Sequence, residues 1–299
     1  MARAYSRLIL GCGNFGGIGS APAFFGRGET KEEAFALMDA AWDSGLTTFD
    51  TADAYGGGRS EAWIGEWLSR TGRDPQIVTK TFNPMDEGAD HGLAPARVRR
   101  QAESSLRRLG VSRIDLYLMH DWDPDVPVAE TAAVLDELVA EGKIAAYGLS
   151  NVDGAQLREA LAAGRVSAVQ NSYSLLDRDA EREVLPLCAE HGVAFFAFSP
   201  LAGGWLTGKY RRGAAPPAGS RMTMRPEPYE HLRDETVFDR LERLEDLGDP
   251  ATLALSWLLS DPRVTGVVLG PRRPAHLEPA LAAGTLDDAR RDELSSLFS

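Results

Sequence analysis

An α/β fold, a single (β/α)8 barrel of parallel strands with outer helices, is predicted by three features of this sequence. Eight short apolar segments alternate with segments of helical period between residues 8 and 269. Glycines stand where the intervening helices should stop, as at Gly45, Gly110, Gly142, Gly164 and Gly192. No linker-like change of composition divides the 299 residues, a length that suits one closed barrel. Strands joined by crossover helices run parallel, so one domain over 1–299 is expected.

The elements follow in order. Leu8-Ile9-Leu10 is the first strand, and a Gly-rich loop runs from Gly11 to Gly28. Thr30 suits an N-cap, with Glu33 completing a capping box, and apolar residues at 34, 37, 38 and 41 form one helical face. Residues 47–50 form the second strand, 60–68 a helix and 76–80 the third strand. Pro95 suits the first position of a helix that Gly110 ends. Strands over 114–120, 144–150 and 166–170 alternate with helices over 128–139 and 155–163. A helix over 179–190 is expected despite Pro186, followed by the seventh strand over 193–199. Residues 207–233, rich in Pro, Gly and Arg, interrupt the alternation, and a loop this long in a compact fold is functional or disordered. Helices over 234–247 and 250–260, the eighth strand over 264–269, and two short helices over 274–283 and 287–297 complete the chain.

Composition narrows the function. The chain is 43% hydrophobic and 25% charged, ordinary for a soluble protein. A net charge of −12 argues against a nucleic-acid surface but leaves room for a local basic phosphate pocket. Two cysteines suggest no disulfide framework. With no charged n-region and apolar h-region at the start no leader is expected, and no apolar run approaches the roughly 20 residues of a membrane span. A cytoplasmic protein with no membrane partner is therefore expected, and the polar outer faces of the helices make a monomer the default.

In a barrel of this kind the C-terminal strand ends face one mouth, where chemistry occurs. Those positions read Asp50, Lys80, His120, Ser150-Asn151, Gln170, Ser199 and Gly270, and Tyr55 follows Asp50 in a loop that runs into Gly56-Gly57-Gly58. Singly, each has a bland reading: a buried Asp holds a backbone amide, a loop Tyr packs, and a polar residue starts a loop. Together they make coherent chemistry. A phenol titrates near 10. A nearby ammonium lowers that value, a carboxylate holds the ammonium, and a histidine orients a carbonyl oxygen. Such a set protonates oxygen while a hydride reaches carbon, and the hydride implies a nicotinamide.

Other readings compete. Gly11-Cys12-Gly13-Asn14-Phe15-Gly16 matches the dinucleotide fingerprint after a strand, but Gly17, Gly19 and Pro22 leave no helix N-terminus to meet a pyrophosphate. Metal-dependent hydrolysis wants clustered histidines at strand ends, and only His120 of five ends a strand.

Six segments in order resemble the aldo-keto reductase superfamily, in its longer bacterial type, over nearly the whole chain. They are Phe49-Asp50-Thr51-Ala52-Asp53-Ala54-Tyr55-Gly56, Val78-Thr79-Lys80-Thr81, Leu118-Met119-His120, Gly148-Leu149-Ser150-Asn151, Val169-Gln170-Asn171-Ser172-Tyr173-Ser174, and Phe198-Ser199-Pro200-Leu201 running on to Leu206-Thr207-Gly208-Lys209-Tyr210. The resemblance implies a barrel reductase with NADPH extended across the mouth. It implies Tyr55 as general acid, Lys80 and Asp50 tuning it, and His120 orienting a small-molecule carbonyl substrate. Ser150, Asn151 and Gln170 would bind the carboxamide and Phe198 would stack on the nicotinamide. The loop from Ser199 to Lys209, with Pro200, Leu201, Gly203 and Leu206, would meet the pyrophosphate. Gly270, Arg272 and His276 occupy the adenosine-phosphate position, where Arg272 suits a 2′-phosphate. There the sequence departs from the family, with His276 where Gln or Arg is common and Ala280 where Asn is common. Asn14 and Phe15 fall near cofactor and substrate. Phe15, Phe24, Phe25, Phe82 and Trp122 suggest an apolar or ring-bearing substrate. Residues 207–233 are expected to fold over the cofactor and to be disordered without it. The alternative implied is an NADP(H)-binding sensor or accessory protein with little turnover.

Overall fold

The structure, a computed structural model, describes residues 4–299. The expectation of no leader rests partly on residues 1–3, which lie outside the described residues. Eight parallel strands close into a barrel in sequence order: β1 (Leu8–Gly11), β2 (Thr48–Asp50), β3 (Gln76–Thr81), β4 (Leu116–Met119), β5 (Tyr147–Ser150), β6 (Val166–Ser172), β7 (Ala194–Phe198) and β8 (Gly266–Leu269), with β8 paired to β1. The helices are α1 (Lys31–Asp43), α2 (Arg59–Thr71), α3 (Pro95–Leu109), α4 (Val128–Ala140), α5 (Gly154–Ala163), α6 (Val184–His191), α7 (Arg221–Met224), α8 (Glu235–Leu247), α9 (Pro250–Leu259), α10 (Glu278–Ala282) and α11 (Asp288–Leu297).

Side-chain alternation along the strands divides the apolar residues into two layers. Ile9, Val78, Leu116, Leu118, Ala168, Phe196 and Val268 form a core inside the barrel. Their neighbours Leu10, Phe49, Ile77, Tyr117, Leu149, Val169, Phe195 and Val267 face outward into the layer shared with the helices. The inward parity, carried one step toward the C-terminal ends, reaches Lys80 from Val78, His120 from Leu118, Gln170 from Ala168 and Phe198 from Phe196. Strand register aligns them: Asp50 lies opposite Val78, Lys80 opposite Leu118, and Ser150 opposite Gln170. The polar strand ends are thus the uppermost layer of the barrel interior.

The capping box at α1 is present in both directions, Thr30 Oγ1 accepting from the Glu33 amide and Glu33 Oε2 from the Thr30 amide. The expected helix over 179–190 is corrected to a 3-10 turn, Asp179–Glu181, followed by α6. Pro186 explains the break. In one continuous helix its ring would crowd the Arg182 carbonyl and its missing N–H would leave a gap. As the third residue of α6 it needs no intrahelical donor. The segment after β7 holds more structure than its composition suggests. It contains a turn over Ala202–Thr207, α7 and a 3-10 stretch over Glu227–Leu232, and it buries Tyr210, Met222 and Leu232. A side-chain contact anchors it to the loop after β1, Arg221 Nη2 donating to Asn14 Oδ1 (3.2 Å), while within the segment Ser199 Oγ meets the Tyr229 hydroxyl (3.0 Å).

Candidate active site

Asp50 and Lys80, 3% and 1% exposed, form an ion pair at the top of the barrel interior. Lys80 Nζ donates to Asp50 Oδ1 at 2.6 Å and to the Thr51 carbonyl at 2.9 Å. Asp50 Oδ2 accepts from Gln170 Nε2 at 2.8 Å, so both carboxylate oxygens are engaged. Such satisfaction offsets the several kcal/mol that desolvating each ion costs. Desolvation opposes the Lys80 charge, but Asp50 and Tyr55 outweigh it and hold the ammonium above its ordinary pKa.

Tyr55 opens a tight turn whose Gly56 and Gly57 adopt φ of 58° and 67°. A Cβ on Gly56 would sit 2.6 Å from the Phe15 carbonyl oxygen, so glycine is needed for the turn to pass under the first loop. The turn brings the Tyr55 ring centroid to 5.2 Å from Lys80 Nζ and sets the ring edge-on to His120 at 5.5 Å. Desolvation raises the Tyr55 phenol above its ordinary pKa by more than Lys80 lowers it. The expectation that the ammonium brings the phenol down is corrected: the downward pull is present, but a phenolate here loses more water than one ammonium replaces. Desolvation, then the Lys80 charge, pushes His120 well below its ordinary value, so its ring is neutral. Asn83 Nδ2 stands 3.3 Å from His120 Nδ1. The group can therefore supply a proton from oxygen, a fixed positive charge beside it and a neutral imidazole.

Around this centre, Ser150 is buried and Asn151 Nδ2 donates to the His120 carbonyl at 2.9 Å. Asn151 and Ser199, the first residues beyond β5 and β7, have φ of 57° and 52°, and Ala202 follows at 47°. Left-handed backbone carrying a side chain costs about 1–3 kcal/mol each and gathers at functional sites. Phe198 packs its ring against the inner core. Pro200 is buried and Leu201 half-buried, while Gly203 lies so close under Tyr229 that a Cβ would be 2.7 Å from its ring. Leu206 is fully buried in the outer core, as is Phe15, whose ring packs there at the foot of the first loop.

A cationic rim extends from here. Partial desolvation, then the charges of Arg221 and Arg272, pull the Lys209 ammonium below its ordinary pKa. Arg272 Nε donates to Glu29 Oε1 at 2.6 Å, and its Nη1 to the Gly219 carbonyl at 2.7 Å. His276 Nδ1 faces the Arg272 amide at 3.2 Å, and Gly270 is exposed just beyond β8. Three cations that repel one another beside a strained backbone loop fit a polyphosphate.

Residues 7–297 match the model of the Aldo/keto reductase family. The chain belongs to the aldo/keto reductase family. It is 35% identical to an uncharacterized oxidoreductase, YrpG, of Bacillus subtilis, over 93% of this chain and 87% of that protein. It is 34% identical to the NADH-specific methylglyoxal reductase of Escherichia coli, over 89% of this chain and 86% of that one. The glycerol dehydrogenase of Gluconobacter oxydans superposes with a TM-score of 0.84 at 26% identity, over 98% of this chain and 91% of the other.

In this aldo/keto reductase, Asp50, Tyr55, Lys80, His120 and Gln170 come together at one end of the barrel. Four neighbours escape sequence reasoning: Glu29, Asn83, Arg221 and Tyr229. Glu29 is 3% exposed and its Oε2 has no partner. Desolvation keeps its carboxyl above the ordinary range although Arg272 pulls it down. Nothing in the local sequence marks these residues, because their contacts span up to 243 positions.

Proposed function

We propose that this chain is an NADPH-dependent reductase of aldehydes or ketones, acting reversibly. The observation that carries the reading is Lys80, held by Asp50 at 2.6 Å and set against Tyr55 beside a neutral His120. The nicotinamide, when bound, supplies hydride to the carbonyl carbon. Tyr55 donates its proton to the carbonyl oxygen, and Lys80 stabilises the phenolate left behind. His120 donates a hydrogen bond to the same oxygen and so fixes the carbonyl's orientation. Because Gln170 Nε2 is engaged by Asp50, its Oε1 is left to accept from the carboxamide, with Ser150 and Asn151 completing the grip. Phe198 stacks on the nicotinamide, and the loop over 199–209 with Lys209 and Arg221 holds the diphosphate. Arg272, with His276 beside it, takes the 2′-phosphate. Glu29 offsets part of the Arg272 charge, which narrows the margin between NADPH and NADH.

The test is a titration with NADPH and NADH side by side, read through quenching of the six tryptophans, followed by turnover with a panel of aldehydes and ketones. Tighter NADPH binding with substrate-dependent oxidation is the expected result. Tighter NADH binding would overturn the phosphate assignment. Tight binding with no turnover on any carbonyl would replace the reductase by a nucleotide sensor.

A further inference from the structure

We propose that Asn83 is a positioning residue that sets the tautomer of His120, a proposal that rests on the reading of His120 as the carbonyl's hydrogen-bond donor. A neutral imidazole carries one proton, and the nitrogen that accepts a hydrogen bond is the one without it. His120 is neutral here, and Asn83 Nδ2, a donor with no acceptor character, lies 3.3 Å from its Nδ1. Nδ1 therefore accepts, the proton resides on Nε2, and Nε2–H is the group available to a carbonyl oxygen. The other tautomer would present a lone pair to that oxygen and repel it.

The placement of Asn83 is built, not incidental. Its main-chain carbonyl accepts from Arg97 Nη2 at 2.8 Å. Arg97 is 3% exposed and reaches inward from α3, donating through Nη1 to Thr81 Oγ1 and to the Gly92 carbonyl, each at 2.9 Å. The Thr81 carbonyl in turn accepts from the His120 amide at 2.9 Å. One residue, Thr81, thus ties the backbone of His120 to the arginine that holds Asn83. The main chains from which the amide and the imidazole project are thus held together by two strand ends and a buried guanidinium.

The experiment uses the 15N-labelled full chain at neutral pH, with His120 ring nitrogens assigned against a His120→Asn sample. The wild type is expected to show protonated Nε2 and bare Nδ1. Asn83→Leu, which removes the donor at similar volume, is expected to give mixed tautomers. It should also lower kcat for aldehyde reduction about tenfold, with nucleotide affinity unchanged. Asn83→Asp, which offers only acceptors, is expected to protonate Nδ1, and it serves as the second variant where Asn83→Leu does not fold. Ring signals identical to wild type in both variants would overturn the proposal. Altered ring signals with unchanged kcat would uphold the tautomer assignment and overturn instead the role of His120 at the carbonyl.

Discussion

At the scale of single residues, desolvation is the dominant influence on the site, and it acts in opposite directions on its members. It keeps the Tyr55 proton on, takes the His120 proton off, and is overruled at Lys80 by Asp50. A phenol that retains its proton suits reduction, since the acid is already loaded at neutral pH. Tyr55→Phe should lower carbonyl reduction by at least about 100-fold and leave nucleotide binding nearly unchanged; single-turnover kinetics beside a binding titration would measure both, and full turnover would remove Tyr55 from the role. A second residue reports on the fold. Asp53 is fully buried, accepts from Thr81 at 2.6 Å and has one oxygen without a partner. Desolvation, then the Glu61 charge, raises its pKa from 3.8 to about 7. Between those values the folded chain holds a proton that the unfolded chain has lost. The stabilisation is therefore complete below the lower value and is lost as pH rises through the higher one. It amounts to on the order of 4 kcal/mol across that window. Urea unfolding at a series of pH values should show stability falling from pH about 4 to about 7, and Asp53→Asn should flatten that slope. Parallel slopes would show that Asp53 is not the group responsible.

At the scale of elements, the strap between β7 and α8 is what sets this chain apart from a simple alternation of strands and helices. It reaches over the mouth through Arg221 to Asn14, Tyr229 folds it back on its own start at Ser199, and Arg272 ties to it at Gly219. The Glu29–Arg272 pair joins the loop after β1 to the loop after β8. That carboxylate opposes any phosphate brought to Arg272. Glu29→Gln keeps a hydrogen-bond acceptor and removes the charge, so NADPH should bind several-fold tighter while NADH changes little. Equal effects on both nucleotides would locate Glu29 away from the 2′-phosphate. From the sequence this element was expected to be a long loop folding over the cofactor, without the turns and helix it contains. The capping box at Thr30 and Glu33 was legible because both partners lie within one turn. The break of the 179–190 helix needed the backbone course around Pro186.

At the scale of the whole molecule, barrel closure brings together strand ends that are far apart in sequence, and it does so with little tolerance. Between β5 and β6 the register shifts at Tyr147 and Gly148. A Cβ on Gly148 would lie 2.1 Å from the Ala168 carbonyl oxygen and 3.0 Å from Leu118 Cδ2. Gly148→Ala should therefore part β5 from β6 and cost about 3 kcal/mol or more, seen as a lower urea midpoint with activity lost in proportion because Ser150 is two residues on. An unchanged midpoint would mean that the strands yield there.

What the sequence by itself determined was whatever period and local chemistry encode. The eight alternating units, the helix stops and the inward parity that makes Asp50, Lys80, His120 and Gln170 share one barrel interior are of this kind, because side-chain direction repeats every two residues in a strand. Tertiary structure alone decided the rest. Desolvation at the mouth sets the protonation of Tyr55 and His120, and closure delivers Glu29 to Arg272, Arg221 to Asn14 and Arg97 to Asn83. Each of these depends on distances between segments that no local pattern records, since burial and long-range charge are properties of the assembled barrel.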